Sequence, residues 1–102
     1  LELQPGGDRP EITITTPYPG ASPTEVEDLI TRPIEERMEE VLGVQEITST
    51  SRNGRSNITL EFADGVNLES RLLDVINRLQ QVPSLPEEAQ ESDVELVGGN
   101  SA

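Results

Sequence analysis

The chain has 102 residues and carries 20 acidic side chains against seven arginines, with no lysine, histidine or cysteine, so its formal net charge is −13. The length fits one compact domain with a small core, and that core must be aliphatic because only Tyr18 and Phe62 are aromatic. The charge argues against nucleic acid or an anionic membrane surface as a partner, and the missing cysteines exclude disulfides and thiol-based metal sites.

The two ends of the chain have the composition of linkers. Residues 1–10 contain two glycines and two prolines and are predicted to be an entry linker, residues 11–97 a single domain, and residues 98–102 an exit linker or a cut end. No apolar run approaches the ~20 residues that span a bilayer, and no signal peptide is recognisable. Because the first residue is Leu, we expect the chain to be a piece of a longer protein.

The first predicted element is a strand. The segment "EITITT", residues 11–16, alternates apolar and polar side chains with period two. This alternation predicts a half-buried strand, with Ile12 and Ile14 facing inward and Thr13 and Thr15 facing outward.

A helix is predicted to follow, and it contains an internal proline. Ser22 is the expected N-cap, Pro23 the first helical residue, and Glu25 the partner that completes a capping box. Pro33 removes one backbone donor and presses against the carbonyl of the residue four positions earlier, so we expect a bend there. A buried apolar stripe ending at Gly43 is predicted to comprise Val26, Leu29, Ile30, Pro33, Ile34, Met38, Val41 and Leu42.

The strongest local signal is a β-hairpin around Asn53-Gly54, a dipeptide typical of two-residue type I′ turns. With Arg52 opposite Arg55, the inward apolar face should carry Ile47, Ile58, Leu60 and Phe62. The predicted cross-strand pairs are Ile47 with Leu60, Thr48 with Thr59, Thr50 with Asn57, and Glu46 with Glu61. Paired carboxylates at the last position are mildly destabilising unless a cation lies nearby.

A second helix and a last strand complete the pattern. Asn67 is the expected helix cap, Pro83 ends the helix, and in "DVELV", residues 93–97, Val94 and Leu96 point one way and Asp93 and Glu95 the other. The predicted buried stripe of the helix comprises Leu68, Leu72, Val75, Ile76, Leu79 and Val82. At 3.6 residues per turn, its opposite face carries Ser70, Arg71, Asp74, Asn77, Arg78 and Gln81.

The element order β-α-β-β-α-β predicts an α+β fold. Right-handed crossovers give a ferredoxin-like sandwich, in which both helices cover one face of a four-stranded antiparallel sheet. The other face of the sheet is then bare and polar. It should display Thr13, Thr15, Glu46, Thr48, Thr50, Asn57, Thr59, Glu61, Asp93 and Glu95.

No catalytic or metal-binding pattern is specific enough to predict an enzyme, a metal site or a cofactor. The sequence lacks a His/Cys ligand set, a calcium-binding loop and a phosphate-binding glycine loop. An RNA-recognition module shares the element order, but it would need aromatic side chains where Thr13, Asn57 and Thr59 lie. An acylphosphatase-like enzyme would need a phosphate cradle near the first strand, and none follows Arg9.

Four sequence blocks carry a resemblance to a known family. The blocks "YPGASPTEVEDLITRPIEERM", "GVQEITSTSRNG", "SNITLEFADGVN" and "DVINRLQQV", with "LPEEA" after the last, occur in this order between residues 9 and 97. They resemble the first periplasmic porter subdomain of resistance-nodulation-division efflux pumps. In that family the proline of "TRPIE", here Pro33, belongs to a bent first helix.

The resemblance implies a role within a larger pump. The parent would be a proton-driven homotrimer of the inner membrane, with other porter subdomains, a periplasmic adaptor and an outer-membrane channel as partners and with amphiphilic compounds favoured over metals as substrates. The second helix would line the central pore, and the fragment alone would not transport. The substrate path would be bordered by Thr15, Thr48, Asn57, Thr59 and Glu95. The alternative is a small acidic ligand-binding or adaptor module with the same fold.

Overall fold

The computed structural model describes residues 9–82 and 85–97, so Pro83, residues 98–102 and most of the predicted entry linker lie outside the described residues. The described elements occur in the predicted order. They are β1 (Glu11–Pro17), a first helix in three parts, α1 (Pro23–Val26), a π turn (Glu27–Thr31) and α2 (Arg32–Met38), then β2 (Val44–Arg52), β3 (Arg55–Phe62), the second helix α3 (Leu68–Gln80) and β4 (Asp93–Val97).

The strands form one sheet in the order β2-β3-β1-β4, with every neighbouring pair antiparallel. With its two helices, this sheet confirms the predicted ferredoxin-like α+β fold. The hairpin register is also confirmed: Ile47 lies opposite Leu60, Thr48 opposite Thr59, and Arg52 opposite Arg55. A register shift between Val44 and Glu46 is the one irregularity between β2 and β3.

The core lies between the sheet and the first helix. Alternation along β1 and β3 buries Ile12, Ile14, Ile58, Leu60 and Phe62 on this side of the sheet. The first helix lays a line of fully buried side chains on them. This line comprises Val26, Ile30, Ile34 and Met38.

The π turn accounts for both Pro33 and the strict four-residue spacing of this line. Four residues advance an α-helix by about 40° beyond a full turn, so an unbroken α-helix would spread Val26 to Met38 over about 120°. A π turn takes in one residue more than an α turn and removes about 100° of that spread. The Arg32 N–H bonds to the Glu27 carbonyl, five residues back, and Pro33 then falls in the first turn of α2, where its missing N–H is tolerated.

Two residues of the predicted stripe on the first helix are exposed, and Pro33 is half-buried. Leu29 is 40% exposed because the π turn narrows the buried stripe and leaves it on the flank. Leu42 is 72% exposed because α2 ends at Met38, and the chain turns through residues 39–43 instead of continuing as a helix. The expectation that both side chains pack in the core was therefore wrong, whereas Val41 is buried as predicted.

Both predicted helix caps are present. Ser22 and Glu25 form a reciprocal capping box, with Ser22 N donating to Glu25 Oε1 at 2.9 Å and Glu25 N to Ser22 Oγ at 3.2 Å. Asn67 Oδ1 accepts from the Ser70 N–H at 3.1 Å.

The second helix is less deeply buried than its apolar stripe predicts. Val75 and Val82 are buried, but the other four stripe residues are half-buried, because α3 lies over the β4 side of the sheet and its apolar flank stays open. The four are Leu68, Leu72, Ile76 and Leu79. Leu73, on the same helix, is 65% exposed.

Candidate functional site

The candidate site is the face of the sheet that the helices do not cover, called here the polar sheet face. On the central strands β1 and β3 the members of this face alternate with buried side chains, whereas the edge strands β2 and β4 contain no fully buried residue. The members of the face are exposed or half-buried on all four strands. Besides the ten predicted residues, the register places three charged side chains at the two ends of the face. These are Glu11, Arg52 and Arg55.

The structure brings together four of the five residues predicted to border a substrate path. Thr15 lies opposite Asn57, and its Oγ1 donates to Asn57 Oδ1 at 3.0 Å. Thr48 lies opposite Thr59 on the adjacent strand pair. Glu95 lies farther away on the edge strand, because Thr13 pairs with both Thr59 and Glu95 and separates them.

Thr13 was predicted on the polar sheet face but not among the five residues of the substrate path, and it occupies the middle of the face on β1. The period-two pattern already turned Thr13 outward, and the pairing of β1 between β3 and β4 makes it central. The strand order could have added Thr13 to the substrate-path residues, because an outward side chain on a central strand has cross-strand neighbours on both sides.

The charges on the polar sheet face are segregated along its length. At one end Glu61 lies between Glu11 and Glu46 as cross-strand partners, and at the hairpin end Arg52 lies opposite Arg55. Arg9, from the predicted linker, places Nη1 3.4 Å from Glu61 Oε2 and so provides the cation that the three carboxylates need. The arrangement offers hydroxyl and amide groups in the middle, a carboxylate end and an arginine end, with the carboxylates of Asp93 and Glu95 beside the middle rows on the edge strand β4.

The side of α3 predicted to face a pore is partly engaged within the chain. Arg78 pairs with Asp74 (Nε to Oδ1, 3.1 Å) and with Glu40 after α2 (Nη1 to Oε1, 2.9 Å). Arg71 donates to the Leu42 carbonyl at 3.4 Å. Ser70 is half-buried as well, so Asn77 and Gln81 are the two exposed members of the six-residue set.

An open groove of about 480 Å³ runs between α3 and β4. Ile76, Leu79, Leu85 and Val94 supply its apolar wall, and Glu91 lies on its rim. None of the predicted site residues lines it. The groove is the consequence of the half-buried apolar flank of the second helix.

Within residues 9–82 and 85–97, no group of three or more His, Cys, Asp or Glu side chains is arranged to hold a metal ion. In the same part of the chain no helix combines the length and the apolar character needed to cross a bilayer.

Comparison with known protein families gives a match over nearly the whole chain. Residues 1–100 match the model described as the AcrB/AcrD/AcrF family.

Individual relatives are named for different functions. The chain is 31% identical over 100 residues to the swarming motility protein SwrC of Bacillus subtilis (strain 168), covering 98% of this chain and 9% of SwrC. It is 38% identical over 89 residues to the multidrug resistance protein MdtF of Escherichia coli (strain K12), covering 85% of this chain and 9% of MdtF. It is 35% identical over 91 residues to the nickel and cobalt resistance protein CnrA of Cupriavidus metallidurans, covering 88% of this chain and 8% of CnrA. The chain thus spans less than a tenth of the length of these relatives.

Proposed function

This chain belongs to the AcrB/AcrD/AcrF family, and from that membership we propose that it is one porter subdomain of a resistance-nodulation-division efflux transporter. In this proposal the parent protein is a proton-driven trimer of the inner membrane, and the chain lies on the periplasmic side. It contributes a wall of the substrate path and a helix at the central pore. It performs no catalytic step and binds no cofactor.

The observation that carries the proposal is the polar sheet face. A four-stranded sheet with helices on one side leaves its other side free to form the wall of a cleft with a neighbouring subdomain. The middle of that wall presents Thr13, Thr15, Thr48, Asn57 and Thr59, whose hydroxyl and amide groups bond to polar groups without selecting one charge sign.

The flat shape of the polar sheet face supports the proposal that substrate binding requires the rest of the parent protein. Binding sites for drug-sized molecules enclose roughly 70–90% of the ligand surface, and one flat sheet face cannot do so alone. We therefore propose that the isolated chain binds substrates weakly and transports nothing. The other porter subdomains, an adaptor and an outer-membrane channel are the proposed partners of the parent.

The substrate class is proposed from charge. The carboxylates on the polar sheet face outnumber its guanidinium groups, and the excess favours amphiphilic cations over anions. The carboxylates are those of Glu11, Glu46, Glu61, Asp93 and Glu95, and the guanidinium groups are those of Arg9, Arg52 and Arg55. Relatives named for multidrug resistance and for nickel and cobalt resistance are 38% and 35% identical to the chain, so identity does not separate a drug branch from a metal branch.

A transport assay on the full-length parent tests the proposal. Cells lacking their own efflux pumps would express the parent carrying Thr59→Trp, and accumulation of the cationic dye ethidium would be compared with accumulation of nickel. We expect Thr59→Trp to impair ethidium efflux because an indole fills the proposed path, whereas Glu36→Trp, on the exposed surface of α2, should not.

The outcomes of this assay separate the alternatives. Equal ethidium efflux by the parent and by Thr59→Trp, at matched abundance, would exclude the polar sheet face from the path. Export of nickel but not ethidium by the parent would move it to the metal branch. A parent that exports neither compound, while the isolated chain binds a ligand tightly, would favour the small ligand-binding module.

A further inference from the structure

A chain of hydroxyl groups joins the π turn of the first helix to the β2–β3 hairpin. Thr31 Oγ1 lies 2.7 Å from Ser56 Oγ on β3 and 2.8 Å from Ser51 Oγ on β2. Ser51 Oγ donates to Glu27 Oε1 at 2.8 Å, so the series of hydrogen bonds ends at the first residue of the π turn. Thr31 and Ser56 are fully buried, so their hydroxyls depend on these partners.

Only one assignment of donors and acceptors fits these three hydrogen bonds. A carboxylate only accepts hydrogen bonds and each hydroxyl has one proton, so the proton of Ser51 is used on Glu27. The contact between Thr31 and Ser51 must then be donated by Thr31, and the contact between Ser56 and Thr31 by Ser56. All three hydroxyl protons point along one path, from β3 through the π turn and β2 to Glu27, and bonds aligned in this way reinforce one another.

Thr31 occupies the position where this path meets the helix backbone. It is the last residue of the π turn, directly before Arg32, whose N–H makes the i to i−5 bond to the Glu27 carbonyl. Glu27 therefore accepts two hydrogen bonds: its backbone carbonyl accepts from the Arg32 N–H within the helix, and its side-chain carboxylate accepts from Ser51 on the hairpin. The backbone hydrogen bond from Arg32 to Glu27 and the side-chain hydrogen bonds from Thr31 through Ser51 to Glu27 together form a closed ring that links the helix to the hairpin.

Return to an α-helical register would break this ring. The residues before the turn would rotate by about 100° relative to α2. Val26 would leave the core, and the Glu27 carboxylate would swing away from Ser51. The hydroxyl path and the burial of Val26 thus favour the same register.

We propose that Thr31 is a positioning residue whose hydroxyl latches the π turn to the β2–β3 hairpin, so that the first helix and the hairpin move as one unit. The hairpin carries more than half of the residues of the polar sheet face, on β2 and β3. Through the latch, a displacement of that face is passed to the helix packed on the other side of the sheet.

Amide hydrogen exchange of this chain tests the latch by comparing two amides in the same sample. Arg32 reports opening of the π turn, and Leu60 in the central strand β3 reports unfolding of the whole domain. Thr31→Val keeps the shape of the side chain but removes the hydroxyl. In this variant the exchange rate of the Arg32 amide should rise about tenfold more than the exchange rate of the Leu60 amide. A tenfold difference corresponds to about 1.4 kcal/mol of lost local stability.

Two further variants and one control keep this test decisive. Ser51→Ala cuts the path at a half-buried position without a large cavity, and it should show the same selective effect on Arg32 even if Thr31→Val does not fold. Thr31→Ser keeps the hydroxyl donor, so the exchange rate of the Arg32 amide should stay within about twofold of its rate in the unsubstituted chain. Thr15→Val removes a comparable hydroxyl bond on the polar sheet face and should leave Arg32 unchanged.

Equal acceleration of Arg32 and Leu60 in both Thr31→Val and Ser51→Ala would overturn the latch, since it would show general destabilisation. An unchanged Arg32, or a Thr31→Ser variant that behaves like Thr31→Val, would overturn it as well.

Discussion

At the residue scale, three carboxylates crowd one end of the polar sheet face, those of Glu11, Glu46 and Glu61. The pairing of Glu46 with Glu61 followed from the hairpin turn, and the need for a nearby cation followed from like-charge repulsion. The identity of the cation did not follow, because Arg9 precedes the strand and lies in a segment predicted to be a linker. Its neighbour Pro10 is buried and accepts a hydrogen bond from the Phe62 N–H at 2.9 Å.

Replacing Arg9 should therefore destabilise the domain slightly. Arg9→Gln removes the cation next to Glu61, and we expect a loss of about 0.2–1 kcal/mol at low salt, the range of partly exposed ion pairs. The matched control is Arg52→Gln, which raises the net negative charge equally but relieves an arginine placed opposite Arg55, so it should cost less than Arg9→Gln. Urea unfolding at low and high salt checks both, and a loss for Arg9→Gln that persists at high salt would assign it to packing instead of charge.

Burial separates two apolar residues that look equivalent in the sequence. Leu60 is fully buried and Ile76 is half-buried at the groove, so Leu60→Ala should cost about 2–5 kcal/mol and Ile76→Ala clearly less. Chemical denaturation of the two variants gives the comparison. Equal losses would mean that the second helix packs more tightly than the structure shows.

At the element scale, the strands could be predicted in detail because their pattern has period two and a turn that sets the register. The first helix could be predicted as a helix, but its π turn could not be separated from an α-helix with a proline bend. The available signal was the exact four-residue spacing of Val26, Ile30, Ile34 and Met38, which drifts by about 40° per step in an α-helix.

The burial of the second helix was not predictable from its own sequence. Its apolar stripe indicates which side faces the sheet, but the depth of burial depends on where β4 and the preceding loop lie. The groove between α3 and β4 is a property of that placement.

The N-cap of the second helix gives a prediction at this scale. Asn67→Ala removes the acceptor of the Ser70 N–H and should cost about 1 kcal/mol. Asn77→Ala, at an exposed position inside the same helix, should be neutral or slightly stabilising because Ala has the higher helix propensity. Thermal unfolding of both variants checks the difference, and similar melting temperatures would remove the cap as a significant contribution.

At the scale of the whole molecule, charge is the dominant feature. With a net charge of −13 on 102 residues, the compact state concentrates repulsion that the unfolded chain spreads out. Salt at ~0.5 M shortens the screening length to a few ångströms, so the melting temperature should rise between low salt and that concentration. A melting temperature that stays flat over this range would show that the ion pairs already neutralise the repulsion.

The proposed place of the chain in a trimer depends on the second helix. Asp74 and Arg78 are paired within the chain, so contacts between protomers should involve the exposed members of that face, Asn77 and Gln81. One helix per protomer is a small contact, because stable interfaces usually bury more than ~1,000 Å², and the isolated chain should remain largely monomeric.

Cysteine cross-linking in the full-length parent is the most direct test of this account. Single cysteines would replace Asn77, Gln81 or Thr48 after removal of any native cysteines, and oxidation would be followed by separation of monomers from linked protomers. The account predicts disulfides between protomers at Asn77 or Gln81, which face the proposed axis, and none at Thr48, on the opposite side of the domain. An assembled trimer that links at Thr48, or at neither helix position, would contradict the assignment of the second helix to the central pore.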